Sequence, residues 1–153
     1  MAVKVMIEKL LDAFPGKFEK YWMANGNEIY IEVENKEARL ICLYLYEKMD
    51  LPLVSMFACD ERTFNGKFIV HYVFANRVNG ILLTLRSQVD GKNPKYQSIT
   101  DRIHGAALYE REIKDMFGIE PIGHPDAKPL LFHGNWPEAN YPLRKDFDGQ
   151  VAR

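Results

Sequence analysis

Asn65-Gly66-Lys67-Phe68-Ile69-Val70-His71-Tyr72-Val73-Phe74-Ala75-Asn76-Arg77-Val78-Asn79-Gly80-Ile81-Leu82-Leu83-Thr84-Leu85-Arg86 is the stretch that decides the fold. Phe68, Val70, Tyr72 and Phe74 alternate with Ile69, His71 and Val73, and Ile81, Leu83 and Leu85 alternate with Leu82, Thr84 and Arg86. A period of two sends successive side chains to opposite faces of a strand. Each run follows an Asn-Gly pair, whose residues tolerate the positive φ of a tight hairpin. Leu53 to Cys59, just upstream, supplies a further strand. Three strands in succession with short connections predict an antiparallel meander.

Outward from this stretch, Glu28 to Val33 alternates as another strand, with Ile29, Ile31 and Val33 on one face. Val3, Met6, Ile7, Leu10, Leu11 and Phe14 fall at helical spacing, and Pro15-Gly16 ends that helix. A second helix is predicted over Lys36–Met49, capped by Asn35, with Ala38, Ile41, Cys42, Leu45 and Met49 inward. A third is predicted over Ile99–Phe117, with Ser98 and Asp101 as a capping pair and Gly118 as its stop. No internal repeat interrupts this order.

Beyond Gly118 the character changes. Pro121, Pro125, Pro129, Pro137 and Pro142 forbid a long helix or a central strand. Yet Leu130, Leu131, Phe132, Trp136, Tyr141, Leu143 and Phe147 are too apolar for a disordered tail. An extended segment of this kind needs a surface to lie on, its own domain's or a neighbour's.

The 153 residues, 47% hydrophobic and 27% charged, suit one packed domain. A formal net charge of −1 offers no electrostatic footprint for nucleic acid. No apolar run approaches the roughly 18 residues that span a bilayer. Met1 to Leu11, with Lys4, Glu8 and Lys9, lacks the pattern of a signal peptide, so the expected place is the cytoplasm, with membrane contact only through partners. Cys42 and Cys59 fall short of the roughly four ligands of an iron–sulfur cluster or structural zinc, and are expected to be buried, reduced thiols. No Walker or Gly-x-Gly-x-x-Gly sequence occurs.

The densest signal is Glu110-Arg111-Glu112-Ile113-Lys114-Asp115-Met116-Phe117-Gly118-Ile119. Glu110 and Lys114, like Arg111 and Asp115, sit four apart on the predicted helix. Spacing alone would make them a solvated charged face, each pair contributing about 0.3–0.5 kcal/mol. The stretch is followed by Gly123-His124-Pro125-Asp126, and then by Tyr141-Pro142-Leu143-Arg144-Lys145-Asp146-Phe147.

These three blocks, in this order, resemble the signature of the 30 kDa subunit of NADH:quinone oxidoreductase (respiratory complex I). The same family includes the matching small subunit of energy-converting membrane-bound nickel–iron hydrogenases, among them the formate-hydrogenlyase type. Ala127-Lys128-Pro129 departs from the family's usual leucine and two arginines. Asn135-Trp136-Pro137-Glu138 and the block from Tyr141 are closer to the hydrogenase branch.

The resemblance implies an α+β fold: a two-layer α/β domain over residues 1–118 with a mixed, mainly antiparallel sheet, and an extended proline- and aromatic-rich C-terminal segment over 119–153. It implies a non-catalytic, cofactor-free subunit that scaffolds the large, hydrogenase or quinone-site subunit beside a neighbouring iron–sulfur subunit. Iron–sulfur clusters, and a nickel–iron centre in a hydrogenase, would then lie in those partners. The 30 kDa subunit of complex I proper is the second reading. The residues expected to meet a partner are Glu110, Arg111, Glu112, Asp115, Gly118, His124, Pro125, Asp126, Trp136, Tyr141, Pro142, Leu143, Arg144, Lys145 and Asp146, with Trp136, Tyr141 and Leu143 as apolar anchors.

A competing reading is a small acid–base enzyme built from Glu110, Glu112 or Asp115 with His124. It requires a cleft with strongly shifted carboxylates. A metal site from Glu110, His124 and His133 would match no standard zinc spacing.

Overall fold

The computed structural model describes residues 3–132 and 134–149. In chain order the elements are α1 (Val3–Ala13), β1 (Phe18–Met23), β2 (Glu28–Glu34), α2 (Asn35–Glu47), β3 (Leu53–Asp60), α3 (Arg62–Asn65), β4 (Lys67–Asn76), β5 (Ile81–Asp90), β6 (Lys95–Gln97), α4 (Ala107–Phe117) and β7 (Glu120–Ile122). Five strands form one sheet in the order β1-β2-β5-β4-β3. The expected meander is β3-β4-β5, antiparallel throughout. β2 joins its edge parallel to β5, and β1 pairs antiparallel with β2, so the sheet is mixed and mainly antiparallel.

Register puts the apolar half of each alternation on one face. Ile31 lies beside Leu85, Leu85 opposite Tyr72, and Tyr72 opposite Met56, all buried. Above this row sit Met6 and Leu10 of α1, Ala38, Ile41, Cys42 and Leu45 of α2, and Ile113 and Phe117 of α4, in one continuous core. These are the two layers, helices on one face of a sheet. Complete burial of a leucine- or isoleucine-sized side chain contributes about 1.5–3 kcal/mol, so this face dominates stability.

Several expectations need correction. Asn65-Gly66 does not make a two-residue hairpin: Arg62–Asn65 is a single helical turn closed by Gly66 at φ +75°. The turn at Asn79-Gly80 is a four-residue connection between β4 and β5, in which Gly80 alone takes positive φ, at +68°. Asn35 does not cap α2 but is its first residue. Its amide donates instead to the Lys95 carbonyl at 2.7 Å, tying α2 to β6. Cys42 is fully buried, whereas Cys59 is only half-buried. Burial raises both thiol pKa values.

Residues 98–103 are not helical. A short 3-10 turn at His104–Ala106 leads into α4, which begins at Ala107, eight residues later than the spacing suggested. β1 was not foreseen, because Phe-Glu-Lys-Tyr-Trp-Met lacks clean alternation and a bulge shifts its register between Phe18 and Lys20. Nor were the two short strands β6 and β7, which pair in parallel.

Candidate functional site

The three signature blocks converge on α4 and the segment folded along it. Glu110, on the inner face of α4, has no exposed surface. The non-helical stretch before the helix wraps its carboxylate: Ser98 Oγ donates at 2.5 Å, the Ile99 amide at 2.8 Å and Thr100 Oγ1 at 3.0 Å. Ser98 is thus committed to Glu110, which is why the helix does not start there. Burial raises the Glu110 pKa, against the three donated bonds that lower it. Outside this knot, Arg39 clamps Asp101 through two bonds of 2.8 and 2.9 Å and also donates to the Ser98 carbonyl.

His124 turns back under the first turn of α4 from a bend at Gly123, whose φ is +83°. Its Nδ1 accepts from the Asp126 amide at 3.0 Å. Nε2 therefore carries the proton and donates to the Ala107 carbonyl at 3.1 Å. Both ring nitrogens are satisfied in the neutral form. Nε2 lies 4.0 Å from Glu110 Oε2, with both side chains sealed from solvent. Pro125 and Asp126 are exposed.

Neither four-residue pair closes within α4; the polar groups reach the C-terminal segment instead. Arg111 donates to the carbonyls of Lys128 (2.9 Å) and Pro129 (3.1 Å). Lys114 reaches Glu120 at 3.1 Å and the Ala127 carbonyl at 3.2 Å. Buried Asp115 accepts the amides of Leu130 and Leu131 on one oxygen, both at 2.8 Å. Glu112 is exposed. An extended strand without a sheet partner thus has its backbone groups met by helix side chains.

The last block docks at the other end of α4. Leu143 donates its amide to the Met116 carbonyl at 3.1 Å. Arg144 Nε donates to the Phe117 carbonyl at 2.6 Å, and its guanidinium lies 4.2 Å from the Tyr141 ring and 5.3 Å from the Phe68 ring. Burial, helped by the nearby Arg62, lowers its pKa. Tyr141 crosses so close to Gly118 that a Cβ there would lie 2.3 Å from the ring. Trp136 stacks on Phe132 at 4.2 Å and 5°, and donates Nε1–H to the Asn140 carbonyl at 2.8 Å. Pro142 is half-buried. Lys145 holds its Nζ 4.6 Å over the Phe64 ring.

Asp60 and Arg62 belong to this site and were not singled out from the sequence. Asp60, nearly buried at the end of β3, accepts from Arg62 Nη2 (2.7 Å) and from the Lys145 amide (2.9 Å). Arg62 bonds Asp146 at 2.7 Å. The Arg62 guanidinium holds the Asp60 carboxyl well below the usual carboxylate range. The only signal was the run of two acids and an arginine, Asp60-Glu61-Arg62, at a strand end.

The carboxylates of the acid–base reading do not share an accessible cleft. Glu110 is enclosed, Asp115 is spent on two amides, and Glu112 is exposed with no partner among the described residues. Among the described residues no group of three or more His, Cys, Asp or Glu side chains is placed to hold a metal. His133 lies outside the described residues. Likewise, no described helix is long and apolar enough to cross a membrane.

This fold has solved counterparts. The trypsin-resistant fragment of Nqo5 superposes with a TM-score of 0.68 at 21% identity, covering 82% of this chain and 99% of that one. A chain of the membrane-bound sulfane sulfur reductase, an archaeal respiratory membrane complex, superposes with a TM-score of 0.75 at 18% identity, covering 95% and 85%. The chain belongs to the family of the 30 kDa subunit of respiratory-chain NADH dehydrogenase, whose pattern matches residues 31–152. It is 35% identical to formate hydrogenlyase subunit 5 of Escherichia coli K12, over 90% of this chain and 24% of that protein. It is 32% identical to hydrogenase-4 component G of the same organism, over 94% and 26%. The chain thus spans about a quarter of the length of these relatives. It is 25% identical to the C subunit of the F(420)H(2) dehydrogenase of Methanosarcina mazei, over 97% of this chain and 94% of that subunit.

Proposed function

We propose that this chain is a non-catalytic subunit of an energy-converting membrane-bound hydrogenase or a related complex I-like assembly, and that it scaffolds the large subunit through α4 and the segment after Gly118. One observation carries this reading. The same domain fills nearly all of a separate subunit in Methanosarcina mazei and about a quarter of two longer hydrogenase subunits in Escherichia coli. What is covalently continuous in some relatives is a natural neighbour in others. The large subunit, with an iron–sulfur subunit beside it, is therefore the partner. Iron–sulfur and nickel–iron centres belong to those chains, and this one sits at the cytoplasmic face of the membrane without entering it.

The geometry supports a binding role over a chemical one. Arg111, Lys114, Asp115 and Arg144 of the signature are spent holding the segment in place. Among charged neighbours the segment also exposes large apolar side chains: Leu131 is 52% and Leu143 54% exposed, and Leu108 on the adjoining α4 is 59% exposed. The relatives at 35% and 32% identity support the hydrogenase reading, and a complex I relative at 31% identity over 93% of this chain keeps complex I proper as the second reading.

The test is purification of the tagged chain from its native membranes. A hydrogenase-type large subunit should be recovered with it in equal amount, and the isolated chain should turn over no substrate. A chain that stays alone in intact membranes, or that is active by itself, would overturn the reading.

A further inference from the structure

Trp136 does not stand out from the surface as a plug. Its ring face is covered by Phe132 and its N–H is bonded to the Asn140 carbonyl, so both its packing and its polar group are already used within the chain. With Phe132, Pro137, Ala139 and Tyr141 it walls a hollow of about 540 Å3 between the 129–141 loop and α4. Lys114, at the edge of the hollow, is held by Glu120 and the Ala127 carbonyl. Asp115, also in the lining, is spent on the Leu130 and Leu131 amides, and the remaining charge, Glu138, is exposed and has no ion-pair or hydrogen-bond partner among the described residues. A preformed hollow with rigid aromatic walls loses little entropy on being filled, the property that marks the receiving half of an interface hot spot.

We propose that this hollow receives one large apolar side chain of the neighbouring large subunit, flanked in that subunit by a lysine or arginine that pairs with Glu138. The chain is thus the socket at this contact and its partner the plug. The inference rests on the docking role proposed above and adds the chemistry of the segment that docks. The apolar walls select the buried side chain, and the unpaired carboxylate selects the sign of the charge beside it. Leu131 and Leu143, exposed on the same segment, extend the apolar contact outward.

The experiment fills the socket. Ala139→Trp, introduced into the tagged chain in its native complex, should lower recovery of the large subunit at least tenfold in a variant that still melts cooperatively, Ala139 itself lying at φ +56°. Glu138→Arg should lower recovery severalfold and Glu138→Gln less. Because Glu138 is exposed, those two variants decide the matter if Ala139→Trp fails to fold. Wild-type recovery from both Ala139→Trp and Glu138→Arg, while the unaltered chain still brings down the large subunit, would sink the socket and leave the docking role standing. Failure of the unaltered chain to bring it down would sink both.

Discussion

Asp115 is a single carboxylate oxygen meeting two backbone amides, and its substitutions should separate charge from shape. Asp115→Asn can still present one oxygen to Leu130 and Leu131, whereas Asp115→Ala leaves both amides without an acceptor. The alanine variant should lose about 2–3 kcal/mol and the asparagine variant about half of that, read by denaturant unfolding. His71 offers a pH prediction. It is 8% exposed, stacked on Phe57 at 4.5 Å, and its Nε2 accepts from Arg86 at 3.3 Å. Burial, then the Arg86 charge, lowers its pKa to about 4. The folded state thus favours the neutral ring. That stability is present above the ordinary histidine pKa and is lost as pH falls from about 6.5 through 4, by about 3 kcal/mol at most. His71→Gln should flatten the stability profile in that window. Glu110 has the opposite sign, because its folded pKa is raised: its contribution is full in acid and declines as pH rises past the ordinary glutamate value. Thermal melts of Glu110→Gln should therefore improve relative to wild type between acid and neutral pH. An unchanged difference would contradict this. At this scale the sequence marked Glu110, Arg111 and Asp115 as special, but helical spacing could not reveal that each bonds backbone outside its own helix. Asp60 and Arg62 escaped because their partners lie more than eighty residues away.

Elements were legible where one face is buried by regular alternation. β2, β4 and β5 lie where period two put them, and α1 and α2 where period 3.6 did. The two misread helix starts share one cause: a side chain with a long-range partner overrode the local signal. Ser98, a good helix cap by composition, is committed to Glu110, and Asn35 to Lys95. β1 is an edge strand with mostly exposed side chains, so no burial pattern marks it. The end of α4 yields a comparative prediction. Gly118 has φ +67° and faces Tyr141, while Gly66 has φ +75° and open space beside it. Gly66→Ala should cost about 1 kcal/mol for the backbone alone. Gly118→Ala should cost about 2 kcal/mol or more, because Tyr141 and Arg144 must also move. Equal melting temperatures for the two variants would argue against close docking of the last block.

In the whole molecule, a two-layer domain holds a proline-rich segment along one of its own helices and leaves Leu131 and Leu143 of that segment exposed. Length and composition indicated one domain, and the signature indicated the family. Neither indicated that Glu110, Arg111, Lys114, Asp115 and Arg144 act inward, because a sequence does not say whether a charged helix face meets water, a partner or its own chain. The inward arrangement predicts that the amides of Leu130 and Leu131 are protected from hydrogen exchange in the isolated protein, and that Asp115→Ala removes the protection. The proposed docking role places Leu131 and Leu143 against the large subunit. Its most direct test is the double substitution Leu131→Asp with Leu143→Asp, both at exposed positions, in the tagged chain in native membranes. The expected result is a chain that melts as wild type does but recovers at least tenfold less large subunit. Full recovery of the large subunit by that folded variant would contradict it.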